Sequence, residues 1–177
     1  MRALFASTAT AVLLGLALPA SAVTTIFFTG LTSAGEPVPT STATGAAIVT
    51  FDDAVNAVTV QISFQGLANA TPFGHIHCCT PMPLTGSSGV ALNFTNFTAA
   101  STGFYTNTFT LTPTAFDSLF GGASAGQAYV NIHTPGLYAG GEIRGFLLPV
   151  PEPGTYALML AGLGALGLAV RRRRTAV

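Results

Sequence analysis

Charge is what this chain of 177 residues has least of: Asp, Glu, Lys and Arg together make up 7% of it. It has no lysine, and five of its six basic residues, Arg2 and Arg171 to Arg174, sit at the two ends. Between the ends Arg144 stands alone against Glu36, Asp52, Asp53, Asp117 and Glu142, so the middle is mildly acidic. Nucleic acid is excluded as a partner, because displacing counterions from phosphates needs clustered Lys and Arg. The same shortage excludes a basic membrane-surface patch. The only cysteines, Cys78 and Cys79, are adjacent and cannot staple distant parts of a fold to each other. A Ser nucleophile elbow, a phosphate-binding Gly loop and paired carboxylates in a cleft are missing too, so no catalytic residues and no enzyme activity are expected. Long apolar runs occur only at the ends, and no repeat of fixed period is visible.

Those ends carry the clearest signals. Met1-Arg2 gives a short positive start, Ala3 to Leu18 is an apolar run, and Pro19-Ala20-Ser21-Ala22 offers small residues to a signal peptidase. This is the three-part layout of a secretory signal over residues 1–22, read by the enzyme at Ala20 and Ala22 and cut after Ala22. At the far end Val150-Pro151-Glu152-Pro153-Gly154 precedes sixteen uncharged residues, Thr155 to Val170, and then Arg171, Arg172, Arg173 and Arg174. As a helix that run reaches about 24 Å, short of a bilayer core of about 30 Å. Snorkelling arginines and Tyr156 can cover the difference, and the arginines hold the C-terminus in the cytoplasm.

Residues 150–174 resemble a PEP-CTERM sorting signal, the tail that exosortases recognise in Gram-negative bacteria. The resemblance implies a precursor anchored in the inner membrane through its hydrophobic C-terminal helix. Exosortase then cuts near Pro151, Glu152 and Pro153, and the product goes to the outer surface or the medium of a cell that makes exopolysaccharide or biofilm matrix. A permanent single-span anchor is the alternative.

Over residues 23–149 the dominant period is two. Val58, Val60, Ile62 and Phe64 alternate with Thr59, Gln61, Ser63 and Gln65, which predicts a strand with one buried face. Asp52-Asp53 turns it back on Ala46 to Phe51. Further strands are expected at Thr24 to Thr29, Gly89 to Phe94, Gly103 to Leu111, Ala128 to His133 and Gly141 to Leu148. One helix is expected at Ala115 to Phe120, capped by Thr114 and ended by Gly121-Gly122, and Leu31 to Thr44 reads as a polar loop. The fold class is therefore all-β, a single antiparallel Greek-key sandwich or barrel.

All three histidines fall in two strand-like segments, Gly74-His75-Ile76-His77-Cys78-Cys79 and Ala128-Tyr129-Val130-Asn131-Ile132-His133-Thr134. Alternation puts His75 and His77 on one face against Ile76, and Tyr129, Asn131 and His133 against Val130 and Ile132. With Gly140-Gly141-Glu142-Ile143-Arg144-Gly145 after them, these segments resemble the CHRD domain over roughly residues 24 to 148. The resemblance implies an extracellular β module, here with Leu137-Tyr138-Ala139 lengthening one loop.

His-x-His on a strand aims two imidazoles to one side, and His133 from a neighbouring strand would complete a three-nitrogen site for copper or zinc. The segment is similar to the His-x-His strand of copper/zinc superoxide dismutases, but only three histidines exist and no His-rich zinc loop follows, so dismutase activity is not expected. A hydrogen-bonded structural role is the competing and commoner fate of such histidines. Cys78 could add a soft ligand, or pair with Cys79 in a vicinal disulfide. Glu142 and Arg144, at i and i+2 on one face, read either as a surface pair worth about 0 to 1 kcal/mol or as each meeting a partner on the neighbouring strand. The function expected first is a non-catalytic module that contacts exopolysaccharide or matrix proteins, and second a secreted copper- or zinc-binding protein.

Overall fold

The computed structural model describes residues 23–70, 72–151, 159–166 and 171. The signal segment with Ala20 and Ala22 lies outside the described residues, as do Glu152, Pro153 and Arg172 to Arg174. Among the described residues the elements run β1 (Thr24–Leu31), β2 (Thr44–Asp52), β3 (Ala57–Gln65), β4 (Phe73–His77), β5 (Val90–Asn93), β6 (Gly103–Thr110), α1 (Pro113–Ser124), β7 (Tyr129–His133), β8 (Ile143–Phe146) and β9 (Leu148–Pro149).

The period-two pattern builds the first sheet. Val58, Val60, Ile62 and Phe64 of β3 are buried, while their polar neighbours face outward. Burying each such side chain contributes about 1.5–3 kcal/mol, which fixes the register, since a slip of one residue would expose the whole set. The β2–β3 hairpin turns as Asp52 and Asp53 predict: the Asp52 carboxylate accepts the Ala54 N–H at 3.0 Å, and Asn56 takes a positive φ of 50°. β1, β2 and β3 form a meander, β6 and β9 add at its two edges, and the order is β6-β3-β2-β1-β9.

The second sheet has the order β5-β4-β7-β8, all antiparallel. It packs Ile76, Val130, Ile132 and Ile143 against the buried face of the first sheet. The chain steps between sheets at Leu147, which is fully buried between β8 and β9. On one side the sheets are joined by backbone bonds between Thr32 and Arg144. On the other, the Tyr105 hydroxyl and the Asn107 amide reach the Thr95 carbonyl where ladder bonds would be needed to close the structure. The architecture is accordingly a sandwich and not the closed barrel that the sequence also allowed.

Helix α1 is longer than expected and starts earlier. Thr112, not Thr114, is its N-cap, accepting from the Ala115 N–H at 3.3 Å, with Pro113 in the first turn. Gly121 and Gly122 lie inside it, because Leu119 and Ala123 bury on its core side. The stop comes at Gly126, which has a φ of +69° and whose N–H donates back to the Ala123 carbonyl at 3.0 Å. Phe116 and Phe120 meet Phe51 edge-on at centroid distances of 5.6 and 5.5 Å, which caps one end of the core.

The expected polar loop holds between its two end residues: Leu31 closes β1 and Thr44 opens β2, and the chain between them runs as turns and bends that are mostly exposed, with Glu36 and Ala43 buried. Of the C-terminal tail, residues 159–166 are helical and exposed, and Arg171 is exposed as well. Among the described residues no helix is long and apolar enough to cross a membrane.

Candidate metal centre

Strands β4 and β7 are the central pair of the second sheet, and their register sets His75 opposite Asn131, His77 opposite Tyr129 and Phe73 opposite His133. With Ile76, Val130 and Ile132 turned into the core, the three imidazoles share the outer face. Loops that follow β4 and β7 fold over this face, so His77 and His133 are buried and His75 is half-buried. One ligating nitrogen from each ring lies within 4.8 Å of the other two. His75 Nδ1 and His133 Nε2 are already 3.3 Å apart. A metal at about 2.0–2.1 Å from each nitrogen spaces them by roughly 3.4 Å, so the His75–His133 pair already stands at that spacing and the widest pair has to close by about an ångström or more.

Each ring is held by neighbours. Tyr129 stacks on His77 with centroids 4.8 Å apart and planes 3° from parallel, and Phe73 stacks on His133 at 4.9 Å and 4°. His77 Nδ1 donates to the Ser88 carbonyl at 2.9 Å, and His133 Nδ1 donates to the Ala139 carbonyl at 3.1 Å. Because a carbonyl only accepts, both rings carry their proton on Nδ1, and Nε2 presents a lone pair. This is how second-shell bonds orient metal-binding histidines. The His77 Nε2 so exposed is buried with no hydrogen-bond partner. His75 is hydrogen-bonded by the side chain of Asn93, directly opposite it on β5.

Burial pulls all three basicities down. His133 falls to about 4, chiefly through desolvation, against the raising effect of its bond to Ala139 and with the other two histidines adding a further lowering. His75 and His77 are lowered as well, first by burial. Near neutral pH all three rings are therefore uncharged, with His75 Nδ1 donating its proton to His133 Nε2; a metal would take the place of that shared proton, which His75 can carry on its other nitrogen.

Cys78 does not join them. Its position alternates with His77, so its sulfur turns to the core side, where it forms a disulfide with Cys79. Both sulfurs pack on α1 beside Gly122, where a methyl group would run into them. The vicinal disulfide is the alternative that holds, and the thiolate ligand is ruled out by direction and by chemistry.

The expected surface pair of Glu142 and Arg144 is also replaced. Glu142 is fully buried and accepts from Ser41 Oγ at 2.7 Å, Thr134 Oγ1 at 2.5 Å and the Ala68 N–H at 2.9 Å. It ties three loops together. Arg144 instead approaches Glu36 at 4.0 Å, lies over the Tyr129 ring at 5.1 Å and donates to the Gly86 carbonyl and Ser87 Oγ at 3.3 Å each. Burial outweighs the attraction of Arg144 and raises Glu36 to about 7. The contributions of Ser88, Ala139, Glu36 and Ser41 were not legible in the sequence, because carbonyls and loop residues carry no pattern. Tyr129 and Asn131 were legible only as sharing the histidines' face.

The fold and this face define a two-sheet β module with a histidine-lined outer surface. The CHRD domain family model matches residues 27–147, more than half of the chain, and the protein belongs to the CHRD-domain family. The PEP-CTERM protein-sorting motif matches residues 149–174, which makes the chain an exosortase-processed protein exported to the cell surface through a membrane-anchored precursor. No curated protein and no solved structure matches the chain significantly.

Proposed function

We propose that the mature domain is a surface-delivered binding module that holds a copper or zinc ion through His75 Nδ1, His77 Nε2 and His133 Nε2. The observation that carries this reading is the buried, unpartnered His77 Nε2 beside two further neutral imidazole nitrogens. A buried polar atom without a partner costs about 1–3 kcal/mol, a cost that ion binding would remove. Three nitrogens leave at least one coordination position open on the side of the loops, which suits either metal. The role is binding and not catalysis.

Metal analysis of the processed protein tests this, beside a variant carrying His75→Ala and His77→Ala. Stoichiometric copper or zinc in the parent and none in the variant supports the reading; equal trace content in both sinks it.

A second reading, contact with exopolysaccharide or matrix proteins, is supported by the outward face of the first sheet. Its polar groups there are almost all Thr, Ser and Gln, with a Thr59–Thr108 hydroxyl contact at 2.9 Å. A deletion strain with unchanged matrix cohesion, together with protein released freely into the medium, would argue against it.

A further inference from the structure

The outward face of the first sheet is not uniform. At its β9 edge Ile26, Phe28, Ile48, Leu148 and Val150 are 40–51% exposed. Register makes them one patch: Phe28 lies between Ile48 on β2 and Leu148 on β9, and the Val150 N–H bonds the Ile26 carbonyl at 2.9 Å. The strands thus align apolar side chains where alternation elsewhere in the sheet places mostly Thr, Ser and Gln, with Phe104 standing apart on the β6 edge. Asp52 is the one charged side chain among the outward positions of these strands. Bringing the patch against an apolar phase would desolvate almost no charge.

The patch is continuous with the sorting tail, since that motif begins at Pro149, between Leu148 and Val150. From Val150 to the start of the apolar run at Thr155 the chain can extend at most about 18 Å. The run itself, sixteen residues and about 24 Å as a helix, falls short of a hydrocarbon core of about 30 Å. A short anchor draws the residues before it toward the headgroups. We infer that in the membrane-held precursor the apolar patch of Ile26, Phe28, Ile48, Leu148 and Val150 rests on the outer leaflet of the lipid bilayer that holds the tail. The face needs no basic residues for this, because its contact is apolar and indifferent to lipid charge. Cleavage at the tail frees the same face, which can then meet the matrix.

The chain contains no tryptophan, so a single introduced one reports on its own site. The experiment places full-length precursor carrying F28W or I48W in phosphatidylcholine vesicles with or without bromine-labelled acyl chains. L137W, on an exposed loop of the other sheet, serves as the control. The expected result is co-flotation with vesicles, a blue-shifted emission for F28W and I48W, and loss of most of that emission with brominated lipid, while L137W keeps its own. Floating precursor whose F28W and I48W emission is no more quenched than L137W overturns the inference. So does a blue shift that appears without lipid, which would mean that the tail or a second copy covers the patch. Precursor that does not float overturns it too, without touching the metal site.

Discussion

The two sheets divide the labour of the domain unequally. The five-stranded sheet hides its apolar side chains on one face and shows water Thr, Ser, Gln and an apolar corner on the other. The four-stranded sheet is covered on both faces, by the core on one side and by loops on the other. All three histidines, Glu142, Arg144 and the buried Glu36 gather on or beside its outer face. One sheet is a scaffold with a contact surface, and the other is a cradle for polar groups kept from water. Polar groups in such a setting are costly unless partnered, so their arrangement is where loss of a single atom shows most.

The largest effect of breaking that contrast is expected at Glu142. Glu142→Ala strands the donors of Ser41, Thr134 and Ala68 in the interior and should cost about 3 kcal/mol or more, read by urea unfolding. An effect as small as that of an exposed residue would show that the loops are held by other means. Next comes His77→Ala, which removes the buried nitrogen; it should lower copper or zinc affinity by at least about 100-fold in a competition titration, exceeding the 10- to 100-fold typical of outer-shell changes. Unaltered affinity would place the metal elsewhere.

Acid sharpens the comparison further. Folding holds His133 near 4, below its ordinary 6.5, so stability linked to the neutral ring is complete above about pH 6.5 and is lost as pH falls toward 4. Glu36 works the other way: raised from 4.5 to about 7, it contributes below pH 4.5 and loses that contribution as pH rises through 7. Glu36→Gln should flatten the second slope in metal-free protein, seen in melting temperatures from pH 5 to 8, and an unchanged profile would remove Glu36 from the account. The smallest effect belongs to the scaffold sheet, where Thr59→Ala loses one exposed cross-strand hydroxyl contact worth about 0.5 kcal/mol or less.

Much of this was legible from residue order. Val58 to Gln65 announced its strand because a buried face repeats every second residue, and His75, Ile76 and His77 announced their faces for the same reason. The misreadings have a shared cause. Thr114 was taken for the cap and Gly121-Gly122 for the stop because helix limits depend on what the helix packs on. Glu142 was placed at the surface because alternation says which side a residue faces but not what covers that side.

The sequence by itself determined the sorting end, the all-β class, and the pairing of imidazoles on common strand faces, since all of these are properties of local order and spacing. Tertiary structure alone decided that β7 lies beside β4, so that His133 reaches His75. It also decided that the Ser88 and Ala139 carbonyls fix the ring protons, and that Arg144 turns to Glu36 while Glu142 is sealed under three loops. Those outcomes depend on contacts between residues many positions apart, which packing creates and no local pattern encodes.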